Sequence, residues 1–342
     1  MIRFFCCPGH KAITQSVAPA FFDRHAYKNI LRNFHRNFGY GVPDNHEKRR
    51  RNMYTSLEQI CREEKEKGLP FWKLVQLDDC QELMKSEEES MEEMRVIYEA
   101  MRQSNENYED SLKSASGLVG GEAAKLRRRR EKHELLCGNF IGSVMEKALR
   151  VSESNACMKR IVAAPTAGSC GVVPAVFLSI QESQGFPDEK MQEALYVAAG
   201  IGGVIASKAS LSGAAHGCQA EIGAASAMAA GALVYLMGGG GEMISNGAAL
   251  AMKNLLGLAC DPVAGLVEVP CVKRNVCGAV NAVTSAELAL AGIESRIPAD
   301  EVFEAMNSIG KKMNEDFRET ARGGLAVTPT GARISESNSY NS

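Results

Sequence analysis

Sixteen consecutive residues, Ile222 to Met237, carry no charge and consist largely of Ala, Gly and Ser before four glycines, Gly238 to Gly241. An uncharged stretch of that length must be removed from water. It is short for a bilayer span, and its small side chains suit close helix–helix approach, so it predicts a helix buried at the centre of a soluble domain. Its neighbours repeat the theme: from Leu135 onward, apolar segments of helical length alternate with glycine or proline turns, at about 137–153, 171–184, 188–206, 219–237, 242–258, 275–293 and 298–313. Pro298, followed by Asp300 and Glu301 in a first turn, marks the last start. No run alternates Val, Ile or Thr at strand length and no βαβ rhythm occurs. The expected fold is all-α: a large helical domain whose glycine and proline loops converge on one site.

The first half differs. From Thr55 to about Asn107 the chain is dense in charge and helical in period, with Ser56 and Gln59 spaced as in a capping box. Ser116 to Gly121 (SGLVGG) interrupts this pattern, and Arg127 to Arg130 follow on a helix, read as an exposed face. Residues 1–52 hold ten Lys or Arg against three Asp or Glu; they read as a disordered basic extension rather than a nucleic-acid arm. The catalytic unit is expected over 53–331, with a Ser- and Asn-rich disordered tail at 332–342. A net charge of −2 gives no general attraction to nucleic acid or membrane. The eleven cysteines are odd in number and irregularly spaced, and no secretory signal is evident, so a reducing cytoplasm is expected.

Three of those cysteines stand in unusual settings. Cys218 lies in SGAAHGCQAE, Cys260 in LACDPV and Cys271 in VPCVKRN, each beside glycine or proline, where the backbone leaves regular helix and a side chain can turn into a shared cavity. Three thiolates can hold three corners of a cubane iron–sulfur cluster, and an open iron can act as a Lewis acid. Their spacing alone does not require this, because free cysteine is commonly a buried core residue. Cys137, Cys157, Cys170 and Cys277 lack comparable settings and read as core thiols.

Other loops offer polar contacts. Thr166, Gly168 and Ser169 precede an apolar helix, a setting in which unpaired N–H groups and hydroxyls can receive a carboxylate or simply cap the helix. The lysine of a P-loop is absent. Ser210 and Ser212 lead towards Cys218, and Arg274 and Asn275 follow Cys271, where they could clamp a carboxylate or neutralise charge. His216 and Lys208 are the weak candidates for proton transfer; Glu221 is placed at a helix start, where the dipole favours it regardless of function.

The stretches APTAGSCGVVPAV, SLSGAAHGCQAEIGAASAMAA, LACDPVAGLVEVPCVKRN and GGLAVTPTG, with SGLVGG, together resemble the α subunit of bacterial iron–sulfur-dependent L-serine dehydratase over roughly residues 53–331. The resemblance implies a helical fold. It also implies a [4Fe–4S] cluster on Cys218, Cys260 and Cys271, and conversion of L-serine to pyruvate and ammonia through an aminoacrylate. Single-chain members carry an additional N-terminal domain and a C-terminal cysteine at the site. This sequence has no cysteine after Cys277, so it resembles the two-subunit form and implies a separate β subunit in a hetero-oligomer. Another iron–sulfur hydro-lyase or desulfidase, or a non-enzymatic helical subunit with core thiols, are the alternatives. No general base is identified.

Overall fold

A computed structural model describes residues 5–7 and 54–339, with only the backbone described for 5–7 and 339. The expected all-α architecture is what it shows: thirteen α-helices among the described residues, and one short two-stranded ribbon in which β1 (Phe5–Cys7) pairs antiparallel with β2 (Ile161–Ala163). β1 falls within the segment expected to be disordered; the rest of residues 1–52 lies outside the described residues. The helices are α1 Leu57–Lys67, α2 Phe71–Leu83, α3 Glu87–Glu106, α4 Glu122–Glu131, α5 Gly138–Ala156, α6 Val172–Gln184 and α7 Asp188–Lys208. They continue as α8 Gly213–His216, α9 Ala224–Leu236, α10 Gly241–Lys253, α11 Cys271–Leu290, α12 Ala299–Lys312 and α13 Pro329–Ser339.

The uncharged stretch forms the hub. In α9 every residue but Tyr235 is buried, and the helix is ringed by α6, α7, α10 and α11. Small side chains make this possible: a β-carbon at Gly231 would lie 2.2 Å from Ile201 Cδ1 on α7, nearer than packed atoms can approach. No helix among the described residues is long and apolar enough to cross a membrane.

Local signals fix the outer helices. Ser56 caps α1 by accepting the Gln59 N–H at 3.0 Å, while the Gln59 side chain bonds Glu63 instead of closing the expected box. A complete capping box stands one helix pair later, where Ser86 and Glu89 start α3. The arginine run on α4 is only partly an exposed face. Arg130 reaches the buried Glu146 on α5 at 2.8 Å, and Arg127 pairs with Asp110. The tail expected to be disordered from 332 is helical through Ser339, because Thr328 caps α13 and Pro329 opens it. Two cysteines read as core thiols, Cys137 and Cys277, are exposed; Cys170 is buried and Cys157 half-buried.

Candidate active site

Two segments far apart in sequence bring Cys218 and Cys260 together, and a third sets Cys271 within electrostatic reach of Cys218 and Glu221. Cys218 stands at the end of the turn after α8, at the head of a single π-helical turn, Gln219–Gly223, that runs into α9. Cys260 lies in the loop after α10, and Cys271 is the first residue of α11 rather than part of the loop before it. Cys218 and Cys260 are 2% exposed and Cys271 is 7% exposed; none is in a disulfide.

Long-range backbone and side-chain bonds hold these segments together. The wholly buried Gln219 donates to the carbonyls of His216 at 2.9 Å and Met306 at 3.2 Å, and accepts the Gly257 N–H at 2.9 Å. It thereby ties the Cys218 turn to the Cys260 loop and to α12. Cys260 is gripped by a parallel bridge with Arg318: its N–H donates to Phe317 at 2.8 Å, and its carbonyl accepts from Glu319 at 2.7 Å. Arg274, one turn into α11, donates to Asp261 Oδ1 and the Ala259 carbonyl, both at 2.8 Å, and lies 3.5 Å from Cys218 Sγ. Asp261 Oδ2 accepts the Leu325 N–H at 2.8 Å, which anchors the GGLAV segment to the same corner.

Glu221 completes the cluster. One of its carboxylate oxygens and the sulfurs of Cys218 and Cys260 all lie within 4.8 Å of one another. The π-turn that carries it, a local widening common at functional sites, directs this side chain inward. Oε1 accepts the Thr166 hydroxyl at 2.8 Å. Two glycines leave space around the carboxylate: a β-carbon at Gly213 would lie 2.7 Å from Oε2 and 3.1 Å from Cys260 Sγ, and one at Gly168 would lie 3.1 Å from Oε1.

Electrostatics follow from this crowding. The Glu221 carboxyl is pushed up to about 8 by burial and then by the negative charge of Cys218 and Glu319, against the Thr166 bond. The Cys218 thiol is lowered, first by a hydrogen bond from Cys260 and then, against burial, by the Arg274 guanidinium. Cys260, as the donor of that bond, is raised; Cys271 is raised mainly by burial. Burial also raises Glu319, whose carboxylate accepts the Ala214 N–H.

The residues present fit a metal group. Soft sulfur donors suit iron and zinc, the thiols are unbridged, and the missing side chain at Gly213 leaves room beside Cys260. A surface groove of about 400 Å³ lined by Lys125, Arg129 and Lys273 lies outside this thiol cluster and shares no residue with it.

The other expected residues divide. Thr166 and Gly168 reach the cluster through Glu221, and Ser169 bonds back to Thr166 and Ala164 within the same loop. Ser210 accepts the Ser212 N–H and Ser212 opens α8, one residue before Gly213. Asn275 is committed to the backbone, accepting the Gly171 N–H and donating to the Gly168 carbonyl, each at 2.8 Å, so it shapes the 164–171 loop. Arg274 is likewise engaged with protein groups. His216 and Lys208 are turned to α12: the imidazole meets Asn307 at 3.0 Å, and Lys208 pairs with Glu304 at 2.9 Å. Burial lowers the His216 pKa, keeping that ring neutral. Glu319 and Gln219, which no local pattern marked, belong to the site or its frame.

Comparison with known proteins places this cluster in context. Residues 66–326 match the family model described as Serine dehydratase alpha chain. The chain is 43% identical over 282 residues to the "Probable L-serine dehydratase, alpha chain" of Bacillus subtilis (strain 168), covering 82% of this chain and 94% of that one. It is 40% identical over 284 residues to the "L-serine dehydratase, alpha chain" of Peptoniphilus asaccharolyticus, covering 83% and 96%. Against "L-serine dehydratase TdcG" of Escherichia coli (strain K12) it is 45% identical over 191 residues, which is 55% of this chain but 42% of the other.

Proposed function

The chain belongs to the serine dehydratase alpha chain family, and from that premise we propose that it is the α subunit of a two-subunit L-serine dehydratase, a carbon–nitrogen lyase that deaminates L-serine to pyruvate and ammonia. The observation that supports the reading is the meeting of the buried, unbridged thiols of Cys218 and Cys260 with Arg274 and Glu221 around a space that glycines keep open, with Cys271 within electrostatic reach. Cys218, Cys260 and Cys271 would hold a [4Fe–4S] cluster. When bound, the cluster supplies an iron without a protein thiol, a Lewis acid that eases departure of the β-hydroxyl.

The chain's own residues do the rest. Loss of the α-proton and the β-hydroxyl from L-serine gives aminoacrylate and water; tautomerisation to the imine and hydrolysis then yield pyruvate and ammonia. Arg274 holds positive charge against Cys218, stabilising its thiolate, and Asp261 fixes the guanidinium so that this contact is made without reorganisation. Asn275 sets the loop that offers Thr166, Gly168 and Ser169 as the polar wall for substrate, with Ser210 and Ser212 on the approach to Gly213. Likeness to chains named alpha, together with the 42% coverage of the longer E. coli relative, supports a separate β subunit.

The test is anaerobic reconstitution with iron and sulfide, with and without a β subunit, counting iron while assaying pyruvate from L-serine. About four irons per chain with serine turnover is expected, and Cys218→Ser, Cys260→Ser and Cys271→Ser should each lose iron. A parent chain that takes up no iron and turns over no serine would overturn the proposal; turnover of another β-substituted acid in place of serine would correct its substrate.

A further inference from the structure

We propose that Glu221 receives the α-ammonium group of the substrate, so that the site accepts an amino acid and rejects the hydroxy acid of the same skeleton. The inference rests on the dehydratase reading above and deepens it.

Glu221 has one committed oxygen and one open one. Thr166 donates to Oε1 at 2.8 Å, which orients the carboxylate, while Oε2 meets no protein donor among the described residues. Oε2 borders the space that Gly213 and Gly168 leave: built β-carbons there would lie 2.7 Å and 3.3 Å from it. Glu221 is half-buried, so Oε2 stays open to a donor that enters this space from outside the protein.

The surroundings say what that donor is. Three thiols and the carboxylates of Glu221 and Glu319 lie within electrostatic reach of one another, with the guanidinium of Arg274 beside Cys218. That guanidinium is already spent on Asp261, the Ala259 carbonyl and Cys218. The nearby Lys208 is held on α12 by Glu304. Among the described residues no protein cation therefore answers Glu221, and the partner it calls for is a small cation with several N–H donors. The α-ammonium of serine carries three, and its charge favours the ionised carboxyl it touches. A hydroxy acid brings one neutral donor and leaves the charge unmatched.

The experiment uses the anaerobically reconstituted holoenzyme and the variants Glu221→Gln and Glu221→Asp. Iron content and the cluster's visible and electron paramagnetic resonance spectra are recorded first. KM and kcat for L-serine and the inhibition constant for L-glycerate follow. A charge-assisted hydrogen bond is worth roughly 10- to 100-fold in affinity. Glu221→Gln should therefore keep its iron and spectrum, raise KM for L-serine about 10- to 100-fold, and leave L-glycerate within about threefold, with Glu221→Asp recovering part of the loss. Loss of iron from Glu221→Gln would show a cluster ligand and overturn the inference. Equal weakening of L-serine and L-glycerate would overturn it by showing a role in shaping the loop. In both cases a parent enzyme with iron and serine turnover leaves the dehydratase reading standing, whereas a parent with neither sinks both.

Discussion

Gly310→Ala should test how His216 is used, because the answer changes sign with the residue opposite. A β-carbon built at Gly310 on α12 would lie 2.1 Å from His216 Cδ2, 2.6 Å from Cγ and 2.7 Å from Cβ. The nearest of these is a ring atom, but the Cβ contact means that rotating the ring cannot relieve the clash. The ring is also held by Asn307 and is only 8% exposed. Either α12 or the turn carrying Cys218 must move, at an overpacking cost of about 1–3 kcal/mol. Replacing a mid-helix glycine by alanine returns about 1 kcal/mol. The expected net effect is a loss of up to about 2 kcal/mol in the parent. In a His216→Gly background all three of these atoms are gone and only the helix gain remains, so the same substitution should stabilise by up to about 1 kcal/mol. Urea denaturation of the four reduced, metal-free proteins, followed by far-ultraviolet circular dichroism, measures the cycle. If Gly310→Ala stabilises equally with and without His216, the imidazole does not bear on α12 and the packing role argued for it is wrong.

Asn275→Ala should cost about 3 kcal/mol by leaving the Gly171 N–H and the Gly168 carbonyl without their partner, seen as a lowered urea midpoint. Asp261→Ala strands the Arg274 guanidinium and frees the Leu325 N–H; a loss of about 3–5 kcal/mol in urea denaturation, with faster release of reconstituted iron, is expected. The raised Glu221 carboxyl sets a pH dependence. Its pKa of about 8 lies above the ordinary 4.5, so the folded state holds the proton longer. Its contribution is present in full below about pH 4.5 and lost as pH rises through about 8. Metal-free parent should therefore lose about 2–4 kcal/mol relative to Glu221→Gln across that window, discounted for the area the carboxyl keeps exposed; parallel pH–stability curves would refute it.

The helical architecture was legible because its signals are local: apolar runs at helical period, glycine and proline between them, and an uncharged stretch that has nowhere to go but the centre. The meeting of Cys218 with Cys260 was legible for a related reason, since each stands where glycine or proline breaks the helix. What escaped depended on partners far along the chain. His216 and Lys208 stood close to Cys218 in sequence, yet Asn307 and Glu304, 91 and 96 residues away, draw both side chains to α12. Glu221 was discounted as a helix-dipole residue because a π-turn cannot be told from a first α-turn by composition, and the π-turn is what turns it inward. Gln219 and Asp261 work through backbone groups of distant segments, which leave no pattern in either stretch. The α13 helix was missed despite a local sign, Thr328 before Pro329, because the Ser- and Asn-rich composition after it was given more weight.

The order in which α11 carries its first residues explains why one helix end can organise the whole site. Cys271, Arg274 and Asn275 are spaced at i, i+3 and i+4, so they share one face. On that face the thiol comes within electrostatic reach of Cys218 and Glu221, the guanidinium reaches across to Cys218 and the Cys260 loop, and the amide fixes the 164–171 loop. The intervening residues point elsewhere: Val272 is buried with Val119 and Leu149, and Lys273 pairs outward with Glu122. A single turn therefore sets the Cys271 thiol, the charge beside Cys218 and the 164–171 loop in fixed relation. Rotating that turn by one residue would disconnect all three at once. The three cysteines need no short spacing in sequence, because α11 supplies in space the register that a compact cysteine motif would supply along the chain.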